Sequence, residues 1–518
     1  MDWFDIAILP VLAIAMLPFV KSSRSKPPLP PSPKSYPLLG NIPVIPEKDE
    51  HVAYRDWSRE LNSDIIHIKV PGHTLIILNS ARAMSAILER SSNAYLNRPS
   101  IPLIDTNLFD LTRHTAFLPY GERWKHQRRL MHLSLRKSAM PTLFPIQTKH
   151  ARQAAAKILE QPEDYIHILG RMLGSQILSC VYGYEVTSPD DEMIKLAESA
   201  SFHVGQAVFP LNFLVNVMPQ LKRVPSWIPG AGWKAIAREW SEEFIRTISL
   251  PYEYTVAQMV TGTAVPSVLA QILNSFTGQG EEITDEQKDR AMWTAGSVFT
   301  AAVESLHGVL QIVVLLMTIH QDVQHKAQKE IDKITEGKRL PEMSDMQGMP
   351  YTRSIIPETL RWIPVSPMSI PRLCGEDDTY NGYTIPKGAL VIGNIWAINR
   401  DETRYDDPET FLPERFMDPS TPEPVTFGFG RRICPGIHFA HPSLFINVAT
   451  ILSGFNIRPA KNERGEDIIP KAELVPGALA FNPVPFECTI TPRSELHRQL
   501  LVDSVLADWA LQDDQVLA

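Results

Sequence analysis

A cysteine in the C-terminal quarter of the chain stands in a loop suited to presenting its sulfur as a ligand. The segment FGFGRRICPG spans residues 427–436, and Gly430 and Gly436 flank Cys434. Glycine allows tight turns and a close approach of the backbone to a ligand. The two arginines before the cysteine, with the backbone N–H groups of such a loop, would favour a thiolate. The loop therefore predicts a ligating sulfur, and a buried structural cysteine is the alternative.

The residues near Cys434 in the sequence limit the kinds of metal site that it could form. No second cysteine or histidine lies at the spacing of a zinc finger, so a zinc site is not expected. One thiolate beside an arginine suits a single axial ligand to a haem iron, with the arginine meeting a haem propionate. The remaining cysteines, Cys180, Cys374 and Cys488, are interpreted as buried apolar residues.

Two further segments carry charges that could form a buried network. Glu358 and Arg361 stand three residues apart in IIPETLRW, so a helix would place both on one face. The segment PERF, residues 413–416, adds Arg415 as a third member. Taken alone, the Glu358–Arg361 pair could also be a surface salt bridge, which contributes little to stability.

Together these segments resemble the cytochrome P450 family. The cysteine loop fits the family pattern F-x-x-G-x-R-x-C-x-G at every fixed position, and E-x-x-R and P-E-R-F follow in the family's order. WKHQR, residues 124–128, matches the W-x-x-x-R element of the family. The resemblance covers roughly residues 1–495 and includes the apolar N-terminus and proline-rich hinge of microsomal members.

The resemblance assigns roles to individual residues of this sequence. Cys434 matches the axial thiolate ligand and Phe427 the aromatic residue packed over the thiolate loop. Glu358, Arg361 and Arg415 match a structural triad with no catalytic step. Four side chains match partners of the haem propionates: Trp124, Arg128, Arg372 and Arg432.

The central helix departs from the family pattern A/G-G-x-D/E-T-T/S, because residues 301–306 read AAVESL. Glu304 keeps the acid, Ser305 replaces the usual threonine but keeps a hydroxyl, and Ala302 replaces a glycine. Glu304 and Ser305 are therefore the candidate catalytic residues, which would relay protons during oxygen activation. The alternative is that both only make local hydrogen bonds within the helix. A further departure, Pro357, predicts a helix that begins late or bends there.

The elements that must position these residues are mostly helical. Helical patterns dominate residues 81–334, and a long proline-free amphipathic stretch covers residues 285–320. Residues 65–80 predict a β-hairpin, and short strands with proline-rich loops follow residue 364. There is no βαβ alternation and no glycine-rich nucleotide loop. The predicted fold class is α+β, mostly helical, with a small β region, and the resemblance implies the cytochrome P450 fold.

The N-terminus predicts a membrane anchor followed by a hinge. Residues 6–20 are an apolar run with acidic residues before it and basic residues after it, and prolines crowd residues 27–46. This charge order favours a retained anchor over a cleaved signal peptide or a buried helix, and the prolines predict a stiff spacer. The predicted organisation is an N-terminal transmembrane anchor (1–20), a basic and proline-rich hinge (21–46), a haem-thiolate catalytic domain (47–495) and a C-terminal tail (496–518).

Composition excludes several classes of protein. The chain has 518 residues, of which 44% are hydrophobic and 21% charged, and its net charge is −8. These values are typical of a globular protein and exclude a disordered, collagenous or polytopic membrane protein. The acidic balance argues against bulk nucleic-acid binding, and four cysteines exclude a disulfide scaffold.

The resemblance implies a haem b monooxygenase in the endoplasmic reticulum membrane, spanning it once, with its catalytic domain in the cytosol. Its electrons would come from NADPH through NADPH–cytochrome P450 reductase, with cytochrome b5 as a second partner. The resemblance places the substrate pocket in five mostly apolar stretches, which predicts a lipophilic, terpenoid-like substrate from secondary metabolism: residues 98–121, 199–217, 293–305, 365–370 and 476–481. The alternatives are a haem-thiolate isomerase or dehydratase that needs no NADPH, and a non-enzymatic haem-binding protein.

Overall fold

The computed structural model describes residues 27–90, 93–105, 108–188, 190–208, 212–277, 282–476 and 480–504. The predicted anchor and the first part of the predicted hinge lie outside the described residues, as do residues 505–518 of the predicted tail. Residues 495–504, where the tail begins, are helical.

Helices make up most of the described chain, as the sequence predicts. In chain order the α-helices are α1 Glu50–Glu60, α2 Ala81–Ser85, α3 Glu122–Leu135, α4 Phe144–Glu160, α5 Tyr165–Tyr182, α6 Glu192–Val208, α7 Leu214–Val217, α8 Trp233–Thr261, α9 Val268–Asn274, α10 Asp285–Ile319, α11 Gln321–Thr335, α12 Pro350–Trp362, α13 Ile395–Ile398 and α14 Ile437–Gly454. Short 3₁₀ turns include Lys137–Leu143, Pro413–Met417, Val425–Phe427 and Gly430–Arg432.

The strands are short and form small separate sheets beside the helices. They are β1 Ile65–Val70, β2 His73–Leu78, β3 Arg372–Leu373, β4 Asp378–Tyr380, β5 Tyr383–Ile385, β6 Leu390–Gly393, β7 Phe455–Lys461, β8 Asp467–Ile468, β9 Leu474–Pro476, β10 Phe481–Pro483 and β11 Cys488–Pro492. The strand orders are β1-β2-β6-β3, β4-β5, β11-β7-β8 and β10-β9. In the first sheet β2 and β6 are parallel although they are far apart in the sequence, with Ile77 opposite Ile392.

The predicted hairpin is confirmed. Strands β1 and β2 pair antiparallel with Ile65 opposite Leu78, and the chain turns between them at Gly72, whose φ of +82° suits glycine.

The helical pattern expected from residue 81 onward fails in one place. Residues 93–105 and 108–121 form turns rather than an α-helix, because prolines interrupt this stretch.

Helix α10 is the central element of the fold. It starts with a capping box in which Gln287 N–H donates to the Thr284 hydroxyl while the Thr284 N–H donates to the Gln287 side chain. The helix has 35 residues and the larger hydrophobic core forms around it. The predicted helix over residues 285–320 is therefore confirmed, and its middle lies where several other helices converge.

Helix α12 runs through Pro357 rather than beginning after it. It starts at Pro350, where a proline N–H is not needed, and extends to Trp362. Glu358 and Arg361, on the last turns of this helix, are completely buried. The expectation that the helix begins late is therefore wrong, since Pro357 lies inside it, and the alternative of a bend at Pro357 stays a prediction.

The predicted charge network is present. Arg361 donates to both carboxylate oxygens of Glu358, with Nε–Oε2 at 2.7 Å and Nη2–Oε1 at 2.8 Å. Arg415, in the 3₁₀ turn Pro413–Met417, donates to Glu358 Oε1 at 3.2 Å, and the Leu412 N–H donates to the same oxygen. The network joins α12 to the segment that precedes the cysteine loop.

Among the described residues, α10 alone is long and apolar enough to cross a membrane. Its most apolar window is 67% buried inside the protein. The helix therefore has the character of a core helix, and this result does not bear on the predicted N-terminal anchor.

Candidate active site

The loop that carries Cys434 lies between the 3₁₀ turn Gly430–Arg432 and helix α14. The N–H of Cys434 donates to the carbonyl oxygen of Phe427 at 2.9 Å, which closes the loop on itself. Gly430 has a φ of +59°, and a Cβ placed there would lie 2.4 Å from the backbone oxygen of Leu88. Only glycine fits this position, so the loop packs against the turn that follows α2.

The surroundings of the Cys434 sulfur contain opposing influences on its charge. Burial raises the pKa of the thiol, whereas a hydrogen bond from the Gly436 backbone and the charge of Arg128 lower it. Coordination by a metal ion deprotonates a thiol outright and removes the cost of holding its charge in an apolar site. The sulfur is therefore placed to become a thiolate on binding a cation such as iron.

A cluster of arginines lies beside this loop. Arg372 is buried, and Arg98, Arg128 and Arg432 are half-buried. Loss of hydration lowers the pKa of each guanidinium, that of Arg372 to about 10 and that of Arg432 to about 9. The charge of Arg372 further lowers the pKa of both Arg98 and Arg432. Four positive charges in a confined space repel one another, and an anionic ligand would relieve that repulsion.

Within the described chain, none of the four arginines forms a salt bridge with a carboxylate. Arg432 donates to the carbonyl oxygens of Leu96 and Leu118, both at 2.8 Å. Arg372 Nη2 donates to the Phe429 carbonyl at 2.6 Å, while its Nη1 is buried without a hydrogen-bond partner. Buried polar atoms are rarely left unsatisfied. The cluster therefore fits the two propionates of a haem, just as the sulfur fits its iron.

Two aromatic rings, those of Trp124 and Phe427, lie beside the arginines and the cysteine loop. Trp124 on α3 is buried, and its ring lies 4.5 Å from the guanidinium carbon of Arg432 and 5.8 Å from that of Arg128. Trp124 and Arg128 are four residues apart and thus share a face of the helix. The ring of Phe427 lies 5.3 Å from that of His441 on α14, so Phe427 packs between the loop and this helix.

The structure thus brings together the cofactor-binding residues predicted from sequence: Cys434, Phe427, Arg432, Arg372, Trp124 and Arg128. It adds Arg98, which the sequence analysis included only as the start of a pocket stretch. Arg98 donates to the carbonyl oxygens of Ala116, Ile370 and Pro371. Its signal in the sequence was an isolated arginine in the apolar segment LNRPSIPLI. It went unrecognised because its neighbours in space are remote in the sequence.

The predicted catalytic pair lies in the middle of α10. Ser305 donates its hydroxyl to the Ala301 carbonyl at 2.8 Å, and Glu304 Oε1 accepts the N–H of Ala480 at 3.1 Å. Ala301 is exposed although the residues before it on α10 are buried. An exposed alanine at the centre of a core helix indicates an internal space, so this segment lines a cavity.

A cavity lies one turn before this segment. Its wall is formed by Leu111, His114, Phe117, Ala200, Ser201, Val204, Phe244 and Thr300. Seven of these residues belong to three of the stretches predicted to line the pocket, namely 98–121, 199–217 and 293–305. Phe244 on α8 was not predicted. Parts of the predicted lining, at residues 106–107, 209–211 and 477–479, lie outside the described residues.

Comparison with known proteins agrees with this geometry. The family model of cytochrome P450 matches residues 30–489. A cytochrome P450 monooxygenase of Armillaria gallica is 37% identical over 97% of this chain and 99% of its own length. The monooxygenase COX2 of Coprinopsis cinerea is 35% identical over 93% and 92% of the two chains, and monooxygenase 208 of Postia placenta is 35% identical over 93% and 94%.

Solved structures share the fold. A zebra fish cytochrome P450 solved with progesterone matches with a TM-score of 0.71 at 22% identity, covering 86% of this chain and all of that chain. The same kind of protein solved with abiraterone matches with a TM-score of 0.67 at 23% identity. The predicted α+β, mostly helical fold is confirmed. The match of the family model over most of the chain, together with these fungal relatives, shows that the chain belongs to the cytochrome P450 family.

Proposed function

We propose that the chain is a haem-thiolate monooxygenase in which the sulfur of Cys434 would hold the haem iron. The observation that carries this proposal is the cluster of four arginines, one buried and three half-buried and none paired with a carboxylate in the described chain, beside a cysteine on a glycine-shaped loop. The relatives of the chain are named cytochrome P450 monooxygenases. As in the family generally, the cofactor is haem, and electrons reach it from NADPH through a reductase.

The bound haem supplies the activation of O₂, and a thiolate ligand favours cleavage of the O–O bond. The chain itself holds and orients the cofactor. The hydrogen bond from Cys434 N–H to Phe427 fixes the loop that carries the sulfur. Arg98, Arg128, Arg372 and Arg432 would hold and neutralise the propionates, and the ring face of Trp124 supports Arg128 and Arg432.

The axial ligand can be tested by the reduced, carbon monoxide-bound absorption spectrum of the expressed protein. The wild type is expected to show the red-shifted Soret band of a thiolate ligand, and Cys434→Ala is expected to lose it. Cys488→Ala is the matched control, because Cys488 is a free, half-buried cysteine outside the loop. An unchanged band in Cys434→Ala, or an imidazole-like band in the wild type, would refute the assignment.

Glu304 and Ser305 are proposed to hold and transfer the protons that oxygen reduction requires. The Ala480 N–H fixes one oxygen of Glu304. Ser305 keeps a hydroxyl on the face of α10 that also carries the exposed Ala301. Adjacent residues of a helix do not face each other, so a proton would pass between the carboxyl group and the hydroxyl through an intervening water. The proposed roles are thus proton donor for Glu304 and relay for Ser305.

Replacing Ser305 by alanine is expected to lower the yield of oxidised product per NADPH by roughly tenfold or more, because general acid–base groups contribute about 10²–10⁴-fold. NADPH use and product are measured together, with hydrogen peroxide as the uncoupled product. Thr318→Val is the control, since Thr318 on the same helix, outside the predicted pocket stretches, also donates its hydroxyl to the carbonyl four residues earlier. Equal coupling in Ser305→Ala and wild type would contradict the relay.

The substrate is proposed to be lipophilic and terpenoid-like, from secondary metabolism, with oxidation of a C–H or C=C bond. The cavity is lined mainly by apolar side chains, among them Leu111, Phe117, Val204 and Phe244. Such a lining suits an apolar molecule. An isomerase or dehydratase would act without NADPH, and a non-enzymatic haem protein would show no turnover, so NADPH-dependent product formation discriminates among the three.

The reductase is proposed to dock on a basic surface near the cysteine loop, and cytochrome b5 on the same surface. Lys125 and Arg129 lie on α3, the helix that also carries Trp124 and Arg128, and Arg136 and Lys137 are exposed at its C-terminal end. A basic patch of this kind attracts an acidic flavoprotein by long-range electrostatics.

The enzyme is also proposed to be a single-pass protein of the endoplasmic reticulum membrane, with residues 1–20 as the anchor, 21–46 as the hinge, 47–495 as the catalytic domain and 496–518 as a tail. The charge order around the apolar run supports this orientation. Removing residues 1–26 is expected to release the protein from the microsomal fraction while the carbon monoxide spectrum stays unchanged.

A further inference from the structure

An open groove of about 680 Å³ lies on the surface between three turns of the chain. The turns are residues 35–40, the turn between β1 and β2, and the turn that joins β5 to β6. The volume is in the range of small-molecule sites. The described residues that line the groove include Lys69, His73 and Lys387 but no aspartate or glutamate. Its charge therefore suits an anionic group.

The two lysines of the groove are not neutralised by the described part of the chain. Lys69 and Lys387 are exposed, and neither forms a salt bridge with a described carboxylate. Asp377, beside the second lysine, accepts the backbone N–H of Lys387 at 2.8 Å and does not line the groove. The whole chain has a net charge of −8, so this groove is a local exception. Lysine binds phosphate oxygens as a point charge.

The turn on one side of the groove presents apolar side chains to solvent. Leu38, at its tip, is 97% exposed, and Tyr36, Leu39 and Ile42 are exposed as well. Leu38 also has a φ of +67°, in the left-handed region that leucine rarely adopts. Because its side chain is almost fully exposed, packing within the protein does not compensate for this strain. Such strain is typical of functional sites, so Leu38 points to a partner outside the chain.

Asn41 holds this turn rigidly against β1. Its side chain is completely buried, and its amide donates to the carbonyl oxygens of Pro33 and Lys34 at 3.1 and 3.0 Å. Its Oδ1 accepts the N–H of Lys69 at 2.7 Å. A Cβ at Gly40 would collide with the backbone oxygen of Lys69, so the turn lies directly on the strand. The apolar turn and one lysine of the groove therefore form a single rigid unit.

The groove lies close to the point where the chain leads toward the proposed anchor. Thr384 on β5 donates its N–H to the Pro28 carbonyl at 2.7 Å and its hydroxyl to the Pro27 carbonyl at 2.6 Å. Thr384 is three residues before Lys387 of the groove. Residues 21–26 separate Pro27 from the end of the proposed anchor and can span at most about 25 Å. An anchor at residues 1–20 would therefore hold the groove near the membrane surface.

A protruding apolar turn beside unpaired lysines matches a membrane surface, where apolar side chains enter the hydrocarbon layer and lysines meet anionic headgroups. We propose that the groove binds the phosphate group of an anionic phospholipid through Lys69 and Lys387, while Leu38 and Leu39 enter the hydrocarbon layer beside it. This inference goes beyond the monooxygenase function and rests on the proposed membrane location. A bound lipid would give the catalytic domain a second contact with the membrane and thus restrict its rotation about the hinge.

Spin-labelled lipids test the inference on the full-length, haem-loaded protein in phosphatidylcholine bilayers. Electron paramagnetic resonance gives the association constant of spin-labelled phosphatidic acid relative to spin-labelled phosphatidylcholine. Lys69→Gln combined with Lys387→Gln is expected to lower this preference at least about threefold, because lysines near the surface attract anionic lipid. The matched control is Lys329→Gln with Lys333→Gln, two exposed lysines on α11 that form no salt bridge within the described chain. The wild-type preference should shrink as salt is added.

Leu38→Gly separates contact with lipid from stability of the fold. Glycine removes the apolar side chain and also the strain at positive φ, so the midpoint of thermal unfolding is expected to equal or exceed that of the wild type. The preference for phosphatidic acid is expected to fall at least about twofold, because the turn no longer holds the groove at the headgroups. A lower midpoint with an unchanged preference would show that Leu38 serves the fold and would overturn its insertion.

The outcomes distinguish this inference from the proposed function. Equal preference for phosphatidic acid in the wild type and the double variant overturns the lipid site. Displacement of the lipid by millimolar glycerol phosphate, with Leu38→Gly behaving like the wild type, indicates a soluble phosphate ligand and overturns it as well.

Failure of the wild type to enter the bilayers instead contradicts the proposed anchor. Flotation with phosphatidic acid vesicles then still tests the groove, since the wild type should float and the double variant should not. The carbon monoxide spectrum of each sample reports on the haem site independently.

Discussion

At the scale of single residues, Arg361 shows how a charge is stabilised in the core. Its five N–H donors make five hydrogen bonds: two to Glu358 and one each to the carbonyl oxygens of Asn399, Pro408 and Thr410. Both members of the pair are completely buried. A buried ion pair is stable only when every donor and acceptor is satisfied. The pair thus holds the segment before the cysteine loop on α12.

Removing one member of this network should be strongly destabilising. Glu358→Gln leaves the buried charges of Arg361 and Arg415 without a counter-charge, which costs about 3–5 kcal/mol. Urea denaturation followed by circular dichroism measures the free energy of unfolding. Glu409→Gln is the matched control, because Glu409 also pairs with a buried arginine, Arg400, but is 62% exposed. Its expected cost is below about 1 kcal/mol, and equal losses in both variants would contradict the role given to burial.

At the scale of elements, the cysteine loop depends on glycine for a steric reason. A side chain at Gly430 would collide with the backbone of Leu88, a contact that no rotamer can relieve. The 3₁₀ turn that includes Gly430 also carries Arg432, whose hydrogen bonds reach Leu96 and Leu118. A shift of this turn would therefore displace both the sulfur and one arginine of the proposed propionate site.

Gly430→Ala should accordingly lower the haem content of the purified protein. The left-handed backbone alone costs an L-residue about 1–2 kcal/mol, and the collision of the added Cβ with the Leu88 oxygen at 2.4 Å adds to it. Gly465→Ala provides the comparison, since Gly465 also has a positive φ, +79°, but a Cβ there would meet nothing within 4 Å. The measurement is Soret absorbance per polypeptide. A full complement of haem in Gly430→Ala would show that the loop adapts.

At the scale of the whole molecule, charge is distributed unevenly. The chain is acidic, with a net charge of −8, yet α3 carries Lys125 and Arg129 next to the residues that face the arginine cluster. Arg129 is exposed, and Lys125 pairs with the exposed Glu122 at 2.6 Å and lies 5.4 Å from the centre of the Tyr120 ring. Exposed pairs contribute little to stability. These charges are therefore free to act on a partner rather than on the fold.

Reversing them should slow electron delivery without harming the fold. Lys125→Glu combined with Arg129→Glu is expected to lower the rate of haem reduction by the reductase about threefold to tenfold at low salt, because electrostatic steering is lost. The difference should shrink as salt screens the charges. Stopped-flow reduction at several ionic strengths measures this, with exposed Lys333→Glu on α11 as the control. A change in reduction rate that does not depend on salt, or no change in rate, would contradict the proposed docking surface.

Much of the fold and of the site was predictable from sequence because local patterns determine them. The capping residues and apolar periodicity of α10, the Pro71-Gly72 turn of the hairpin and the fixed positions of the cysteine loop are all properties of contiguous segments. The glycines at 430 and 436, on either side of Cys434, indicate a tightly turned loop in the sequence itself. The sequence by itself therefore determined the fold class, the family resemblance and the candidate ligand.

The tertiary structure alone decided the features that depend on residues far apart in the chain. Arg98 joins Arg372 and Arg432 only when β3 and the loop before α3 meet. His114, Ser201 and Thr300 share one cavity although 186 residues separate the first from the last. Irregular loops such as residues 108–121 have no periodicity to indicate their path. Their position is fixed by burial and by hydrogen bonds to distant partners, which a linear pattern does not encode.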